Sequence, residues 1–375
     1  MKKVAILTLN GYFNYGNRLQ NYALQEVIKD MGFEVETVVN NTNLRNQGKS
    51  KIEGRDIIKK LREKSLIDLS RGLYIKFENY LYKDKVNQQR TRIFKDFSLS
   101  YIAETDYSIS IDNIPSDLSD RYDIFVTGSD QVWNPNFRKG SSIDFLTFAS
   151  PEKRISYAAS FGISTIPQEY VEDYRLWLSE IAHLSVREDA GAKIIKGLTG
   201  RKAEVVLDPT MMLTKEQWLA ISRVPSNKPI KRYLLTYFLG GIPKERVNLM
   251  KSIAKKNDLE IINLAQVEDR IPYLSGPSEF IDYIYSASVF CTDSFHGAVF
   301  SILLDTPFIV FNREGQSSSM NSRIDTLLKT FKLESRLADN IKDNNQIFNI
   351  DYSHTIPILE SERKKSFNYL EKALT

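Results

Sequence analysis

From Lys3 to Val310, short apolar runs alternate with longer segments whose apolar residues recur at helical spacing, and this alternation restricts the fold more than any other feature. A run such as Val4-Ala-Ile-Leu7 has no polar face. It therefore belongs in a sheet covered on both sides, which for alternating strands and helices means parallel strands joined by helical crossovers. Lys3 to Asn10 reads as a buried strand, Leu19 to Met31 as a helix ended by Gly32, and Glu34 to Val39 as the next strand, a unit of the doubly wound type. Further strands are expected at 122–127, 155–161, 203–207, 233–238 and 259–264, and helices at 169–181, 244–257, 278–286, 323–331 and 361–374. Residues 289–313 read as strand, loop, helix and strand. The polar stretch 223–231, with Pro225 and Pro229, is the best linker, so the chain divides into domains at 1–222 and 223–375, closed by a helix that packs on either.

A chain of 375 residues is long for one core and suits two domains with a cleft between them. The sequence contains no apolar run long enough to span a bilayer, and its apolar start passes directly into Tyr12-Phe-Asn-Tyr-Gly-Asn17, so the start reads as a strand rather than a signal peptide. Cys291, the single cysteine, lies within an apolar strand and rules out an intrachain disulfide or a cysteine-based zinc site. A soluble protein in the cytoplasm, at the inner face of the membrane if it contacts one, is the expectation. Net charge is +4, from 51 basic and 47 acidic residues, too small to suggest a nucleic-acid partner without clustering. Residues 45–95 do cluster charge: fifteen Lys and Arg against six Asp and Glu give +9, leaving −5 elsewhere. This helical insertion reads as a solvated excursion or as a patch for peripheral membrane contact.

In parallel sheets ligands collect where a strand's carboxyl end delivers a loop to a helix amino terminus, because free N–H groups and the helix dipole attract anions there. Thr292, Asp293, Ser294 and His296 occupy such a loop, with Gly297 behind them to let a ligand approach the backbone. Three loops of the first domain, around Asn14, Asp130 and Arg187, are expected to face it. Asn14 and Asn17 suit an anion, sugar hydroxyls or a helix cap. Gly128-Ser-Asp-Gln-Val-Trp-Asn134 combines a carboxylate, two amides and an indole, a set suited to a sugar: Asp130 to take a hydroxyl proton, Gln131 and Asn134 to orient, Trp133 to stack. Arg187 suits a carboxylate or phosphate, or a structural ion pair with Glu188 or Asp189. Neither the phosphate-loop nor the dinucleotide glycine pattern is present, which disfavours a nucleotide cofactor, and no Gly-x-Ser-x-Gly elbow supports hydrolysis.

Asn14-Tyr-Gly-Asn17, Gly128-Ser-Asp-Gln-Val-Trp-Asn134, Ser185-Val-Arg-Glu188, Asp208-Pro209 and Ser294-Phe-His-Gly297, in that order, resemble the polysaccharide pyruvyl transferase family over residues 1 to 330. The resemblance implies an α/β protein of two Rossmann-like domains with parallel sheets in a glycosyltransferase-B-like arrangement. The implied reaction transfers pyruvate from phosphoenolpyruvate to a sugar, or to a lipid-linked oligosaccharide, as a cyclic ketal in surface or exopolysaccharide biosynthesis, with no metal and no cofactor. The family's donor residues fall here on Arg187 and on Ser294, His296 and Gly297. Ser294 stands where the family pattern has arginine, and Arg323 or Arg313 is the expected replacement, Arg323 swinging in as the 317–321 loop closes. His296 is then the acid or phosphate ligand, and Asp130, with Asp293 as alternate, the base. The rival readings are a sugar-nucleotide glycosyltransferase of the same architecture and a non-catalytic carbohydrate-binding protein.

Overall fold

The computed structural model describes residues 1–42, 66–313 and 322–375, with 66–81 described by backbone alone. Five parallel strands, β1 (Lys3–Leu7), β2 (Glu34–Asn40), β3 (Glu104–Ile109), β4 (Ile124–Thr127) and β5 (Arg154–Ser156), lie in the order β3-β2-β1-β4-β5. A parallel pair, β6 (Ser185–Val186) and β7 (Glu204–Val205), continues this sheet through single bridges at Ile155–His183 and Ala159–Val186. The second sheet holds β8 (Tyr233–Tyr237), β9 (Glu260–Asn263), β10 (Val289–Thr292) and β11 (Phe308–Val310) in the order β11-β10-β8-β9, again parallel. These are two Rossmann-like sheets in the glycosyltransferase-B-like arrangement. In each the strand order reverses once, between β1 and β4 and between β8 and β10, and the loops that leave those strands flank a crevice.

The helices that matter here are α1 (Tyr15–Asp30), α2 (Leu66–Tyr101), α3 (Val171–Ser179), α4 (Asp189–Thr199), α5 (Lys244–Lys256), α6 (Pro277–Ser286), α7 (Phe295–Leu303), α8 (Ser322–Thr330) and α9 (Thr355–Leu374). α1 starts earlier than its apolar spacing predicts because the Asn14 side chain accepts from Asn17 N at 3.2 Å and caps a polar first turn. β3 was not expected: Glu-Thr-Asp-Tyr-Ser-Ile has no apolar run, and as an edge strand it pairs with β2 across a register break between Thr37 and Val39. The strand expected at 155–161 stops at Ser156, and Ala158 two residues on has a left-handed φ of 48°.

One apolar core runs through both halves, joining Leu19 of α1 to Phe280 of α6 and Phe300 of α7. Tyr15 stacks on Phe280 with centroids 4.2 Å apart and 13° between planes, and its hydroxyl donates to Ser275 O at 3.0 Å. The basic insertion contributes to the same contact. Arg90 of α2 is buried, its guanidinium lies over the Tyr15, Phe94 and Tyr273 rings at 4.8, 4.9 and 4.4 Å, and it donates to Tyr273 O. This arginine therefore belongs to the interface between the halves rather than to a solvated face, whereas 45–65 lie outside the described residues and so does the expected loop at 317–321. α9 packs against the first half: Tyr369 donates to Ser156 O at 2.7 Å, Ser366 Oγ accepts from Leu207 N at 3.0 Å, and Arg363 donates to Met211 O at 2.7 Å. Among the described residues no helix is long and apolar enough to cross a membrane.

Candidate active site

The loop after β1 is built around Asn17. Its Oδ1 accepts from Gly11 N at 2.8 Å and from Arg18 Nη2 at 3.2 Å, which turns Nδ2 toward Asp130, where it donates to Oδ2 at 3.1 Å. Arg18 is itself fixed, fully buried and donating to Glu104 Oε1 at 2.7 Å and Leu9 O at 2.9 Å. Asp130, in the loop after β4, has a left-handed φ of 62° and accepts from Gln131 N at 2.8 Å. Burial raises the affinity of its carboxyl for a proton, but the charges of Arg187, His296 and Arg323 outweigh this and hold it below the usual carboxylate range.

Arg187, at the end of β6, and His296, in the first turn of α7, meet at Asp208. The carboxylate oxygen Oδ2 accepts from Arg187 Nη1 at 2.6 Å and stands 3.6 Å from His296 Nε2. Asp208 is fully enclosed and also accepts from Ser129 Oγ at 3.0 Å and from Thr210 N and Oγ1 at 3.0 and 2.6 Å. Burial opposes its ionisation, yet His296 and Arg187 together hold its carboxyl far below the ordinary range. It is thus a fixed anion that faces one side chain from each half of the chain, the Arg187 guanidinium and the His296 ring. The sequence had shown Asp208-Pro209 only as a motif; a carboxylate directly after a strand and ahead of a tight turn was the available signal. Gly16 was missed as well. A methyl group on it would stand 2.0 Å from His296 Nδ1, so a residue without a side chain is needed at the start of α1 for the histidine to reach across.

Arg187 keeps Nε and Nη2 without hydrogen-bond partners, its guanidinium lying 4.4 Å from the Phe295 ring and Nη2 3.6 Å from Asp130 Oδ1. Arg323, in the first turn of α8, is 6% exposed. Among the described residues no carboxylate lies within 4.0 Å of it; its Nε is unpartnered, and its two Nη atoms face the Gln131 amide oxygen at 3.2 Å. Burial and the neighbouring Arg187 charge push its pKa down to about 10. Arg313 enters the same cleft with Nε 3.4 Å from Asp293 Oδ2.

Several expected site residues have other work. Asp293 is buried and accepts from Leu239 N at 2.7 Å and Gly240 N at 2.9 Å, so it pins the loop after β8 and is a poor candidate for a base. Ser294 lines the cleft as the cap of α7, its Oγ accepting from Gly297 N at 3.3 Å. Gly297 faces the strand rather than the cleft: a methyl group there would stand 2.8 Å from Thr292 Oγ1 and 3.0 Å from the Phe290 ring, so it serves close helix–sheet packing. Trp133 is 0% exposed, stacked on Phe145 at 5.4 Å and 5°, with Nε1 donating to Asp144 O at 3.0 Å. It is core and presents no face to a sugar. Asn134 caps the short helix that follows, accepting from Asn136 N at 3.0 Å, and its amide meets Gln131 at 2.9 Å.

The cleft between the halves has a volume of about 540 Å³, with Asp130, Gln131, His296, Arg313 and Arg323 at its inner end and Asn14, Asn17 and the 9–14 and 40–42 loops on its first-domain wall. Among the described lining residues the arginines Arg138, Arg313 and Arg323 stand against one carboxylate, Asp130. A family model described as polysaccharide pyruvyl transferase matches residues 14–315. No curated protein sequence gives a significant match. Among solved structures, UDP-N-acetylglucosamine 2-epimerase from Rickettsia bellii is 11% identical with a TM-score of 0.50, over 99% of this chain and 96% of that one. The Neisseria meningitidis UDP-GlcNAc 2-epimerase bound to UDP-GlcNAc is 11% identical with a TM-score of 0.46, over 99% and 100%. Acinetobacter baumannii MurG is 9% identical with a TM-score of 0.45, over 99% and 100%. At such identities the likeness is one of fold.

Proposed function

Because the chain belongs to the polysaccharide pyruvyl transferase family and is a transferase, we propose that it moves the pyruvyl group of phosphoenolpyruvate onto two hydroxyls of a sugar as a cyclic ketal, releasing phosphate. The observation that carries this reading is Arg323: a buried guanidinium with no carboxylate within 4.0 Å among the described residues, pushed to about 10 by burial and in part by a second arginine, is an arrangement that an anionic ligand relieves. Arg187 has two nitrogens without hydrogen-bond partners, Nε and Nη2, so the pair offers the charge that a phosphate and a carboxylate on one small donor require. Arg323 thereby takes the place of the arginine that Ser294 lacks.

The chemistry follows from the groups in reach. His296 gives a proton to the donor's methylene carbon, which becomes the methyl group, and the positive charge falls on the carbon bearing phosphate. A sugar hydroxyl attacks that carbon and passes its proton to Asp130. A carboxylate held below the usual range is a weak base, but an oxygen that has just bonded to a cationic carbon is strongly acidic, so a weak base suffices. The carbon–phosphate oxygen bond breaks and phosphate leaves with the proton from Asp130. The second hydroxyl closes the ketal and its proton restores His296. Asp208 holds His296 and Arg187 in register throughout, and no cofactor enters the scheme.

The test is phosphate release from phosphoenolpyruvate that depends on an added sugar. Sugar-dependent release supports the reading. Release of UDP or GDP from sugar nucleotides in its place, or sugar binding without turnover, overturns it.

A further inference from the structure

We propose that the acceptor subsite lies on the first-domain wall of the cleft, on Phe13 and Asn40, and takes a neutral pyranoside; this rests on the transferase reading above. Three observations converge. Phe13 is a 63% exposed aromatic ring at the cleft wall, laid so closely on Gly11 that a methyl group there would stand 3.0 Å from ring Cε1. A large apolar ring held in place and left in solvent is a platform of the kind that the C–H face of a pyranose covers.

Asn40, at the end of β2, is 4% exposed and lines the same cleft, and among the described residues its Nδ2 has no hydrogen-bond partner although its Oδ1 accepts from Thr42 N at 2.9 Å. A buried amide donor without a partner is costly, and a sugar oxygen supplies the acceptor it lacks. The position is rigid, because the Asn10 side-chain oxygen accepts from Asn40 N at 2.7 Å while its nitrogen donates to Thr8 O at 3.0 Å.

The third observation is charge. The 9–14 and 40–42 segments of this wall carry amides, a hydroxyl and aromatic rings and no ionisable acid or base other than the Tyr12 phenol, which burial and Glu104 push up to about 12. Beside Asp130, the other ionised first-domain residue that lines the cleft is Arg138, which is paired with Asp144, and nothing in the two segments selects for an amino sugar or a uronic acid. The hydrogen bonds from Gly11 to Asn17 and from Asn17 to Asp130 connect this wall to the carboxylate that receives the hydroxyl proton. A pyranose on Phe13 therefore presents one edge to Asn40 and its diol to Asp130.

Saturation-transfer NMR on the full chain, without donor, tests this with the methyl β-glycosides of glucose, galactose, mannose, N-acetylglucosamine and glucuronic acid. At least one neutral glycoside binds saturably; Phe13→Ala weakens it roughly two- to tenfold and Phe13→Tyr retains it. Asn40→Ser weakens it by a similar factor. The inference is overturned if no neutral glycoside binds, if only the glucuronide binds, or if Phe13→Ala, an exposed change that the fold tolerates, leaves affinity unchanged. Phosphoenolpyruvate binding, followed separately by calorimetry, keeps the two readings apart. Donor binding without neutral-glycoside binding sinks this subsite alone, whereas glycoside binding without phosphate release sinks the transfer reading and leaves the subsite standing.

Discussion

Replacing Arg323 by Met should move stability and donor affinity in opposite directions. The guanidinium is enclosed, lacks a carboxylate within 4.0 Å among the described residues, and has its pKa pushed down to about 10 by burial first and Arg187 second. A cation whose folded-state pKa is lowered costs the folded state stability at every pH below that value, because there both folded and unfolded chains carry the charge and only the folded one confines it; the cost fades above pH 10. The fall from the ordinary guanidinium range to about 10 corresponds to a cost on the order of 3 kcal/mol. Met keeps the unbranched stem and drops the charge, so the variant should melt a few degrees higher, up to about 4 °C, less whatever the Gln131 contact contributes. With the donor the sign reverses: a charge-assisted contact of about 1.5–3 kcal/mol is lost, a ten- to more than hundredfold weakening of phosphoenolpyruvate binding. Thermal unfolding of both proteins over a series of phosphoenolpyruvate concentrations reads both quantities at once. Arg323→Met that melts lower than the wild type, while keeping the full ligand-induced rise in Tm, would refute the reasoning on both counts.

Asp208→Asn should lower kcat tenfold or more without weakening phosphoenolpyruvate binding, since it removes the anion that registers Arg187 and His296 but leaves both side chains; a lost affinity with unchanged kcat counts against a positioning role. As the Asp208 carboxyl is held far below the ordinary range, its contribution to stability is present above about pH 4 and disappears only in stronger acid, which acid unfolding of wild type and variant can check. His296→Ala should lower turnover about a hundredfold, and recovery of most activity in His296→Gln would remove the acid role. Gly16→Ala should destabilise the wild type, because the new methyl group stands 2.0 Å from His296 Nδ1, yet stabilise the His296→Ala background by up to about 1 kcal/mol through helix propensity; the sign change is measurable by urea unfolding. Trp133→Ala should cost about 3–5 kcal/mol of stability as a buried aromatic, while Trp133→Phe leaves glycoside affinity unchanged, an outcome that acceptor stacking on this residue would not allow.

The parallel architecture was legible in the sequence because it depends on periodicity. Apolar runs without a polar face, separated by helical spacing, leave little besides covered parallel sheets, and this located nearly all the strands and the loops that leave them without tertiary information. β3 escaped because an edge strand needs apolar residues on one side only, and a polar hexapeptide gives no such signal. Which loops line the cleft was legible for the same reason, since strand ends at a reversal of strand order are fixed by topology.

What each residue does there depended on contacts between segments far apart in the chain. Trp133 and Asp130 share one loop, and only the packing of α3 and the Phe145 segment against it turns the indole inward and leaves the carboxylate at the cleft. Asp293 and Asp208 look alike in sequence, each an acid after a strand; the backbone N–H groups of Leu239 and Gly240 occupy the first, beside Arg313, and Arg187 with the His296 ring flank the second. Gly16 matters only because a histidine 280 positions later lies over it. Periodicity is a property of neighbours along the chain and survives without the fold, whereas the charge, burial and partners that make a side chain a ligand, an acid or a strut are set by what the fold brings against it.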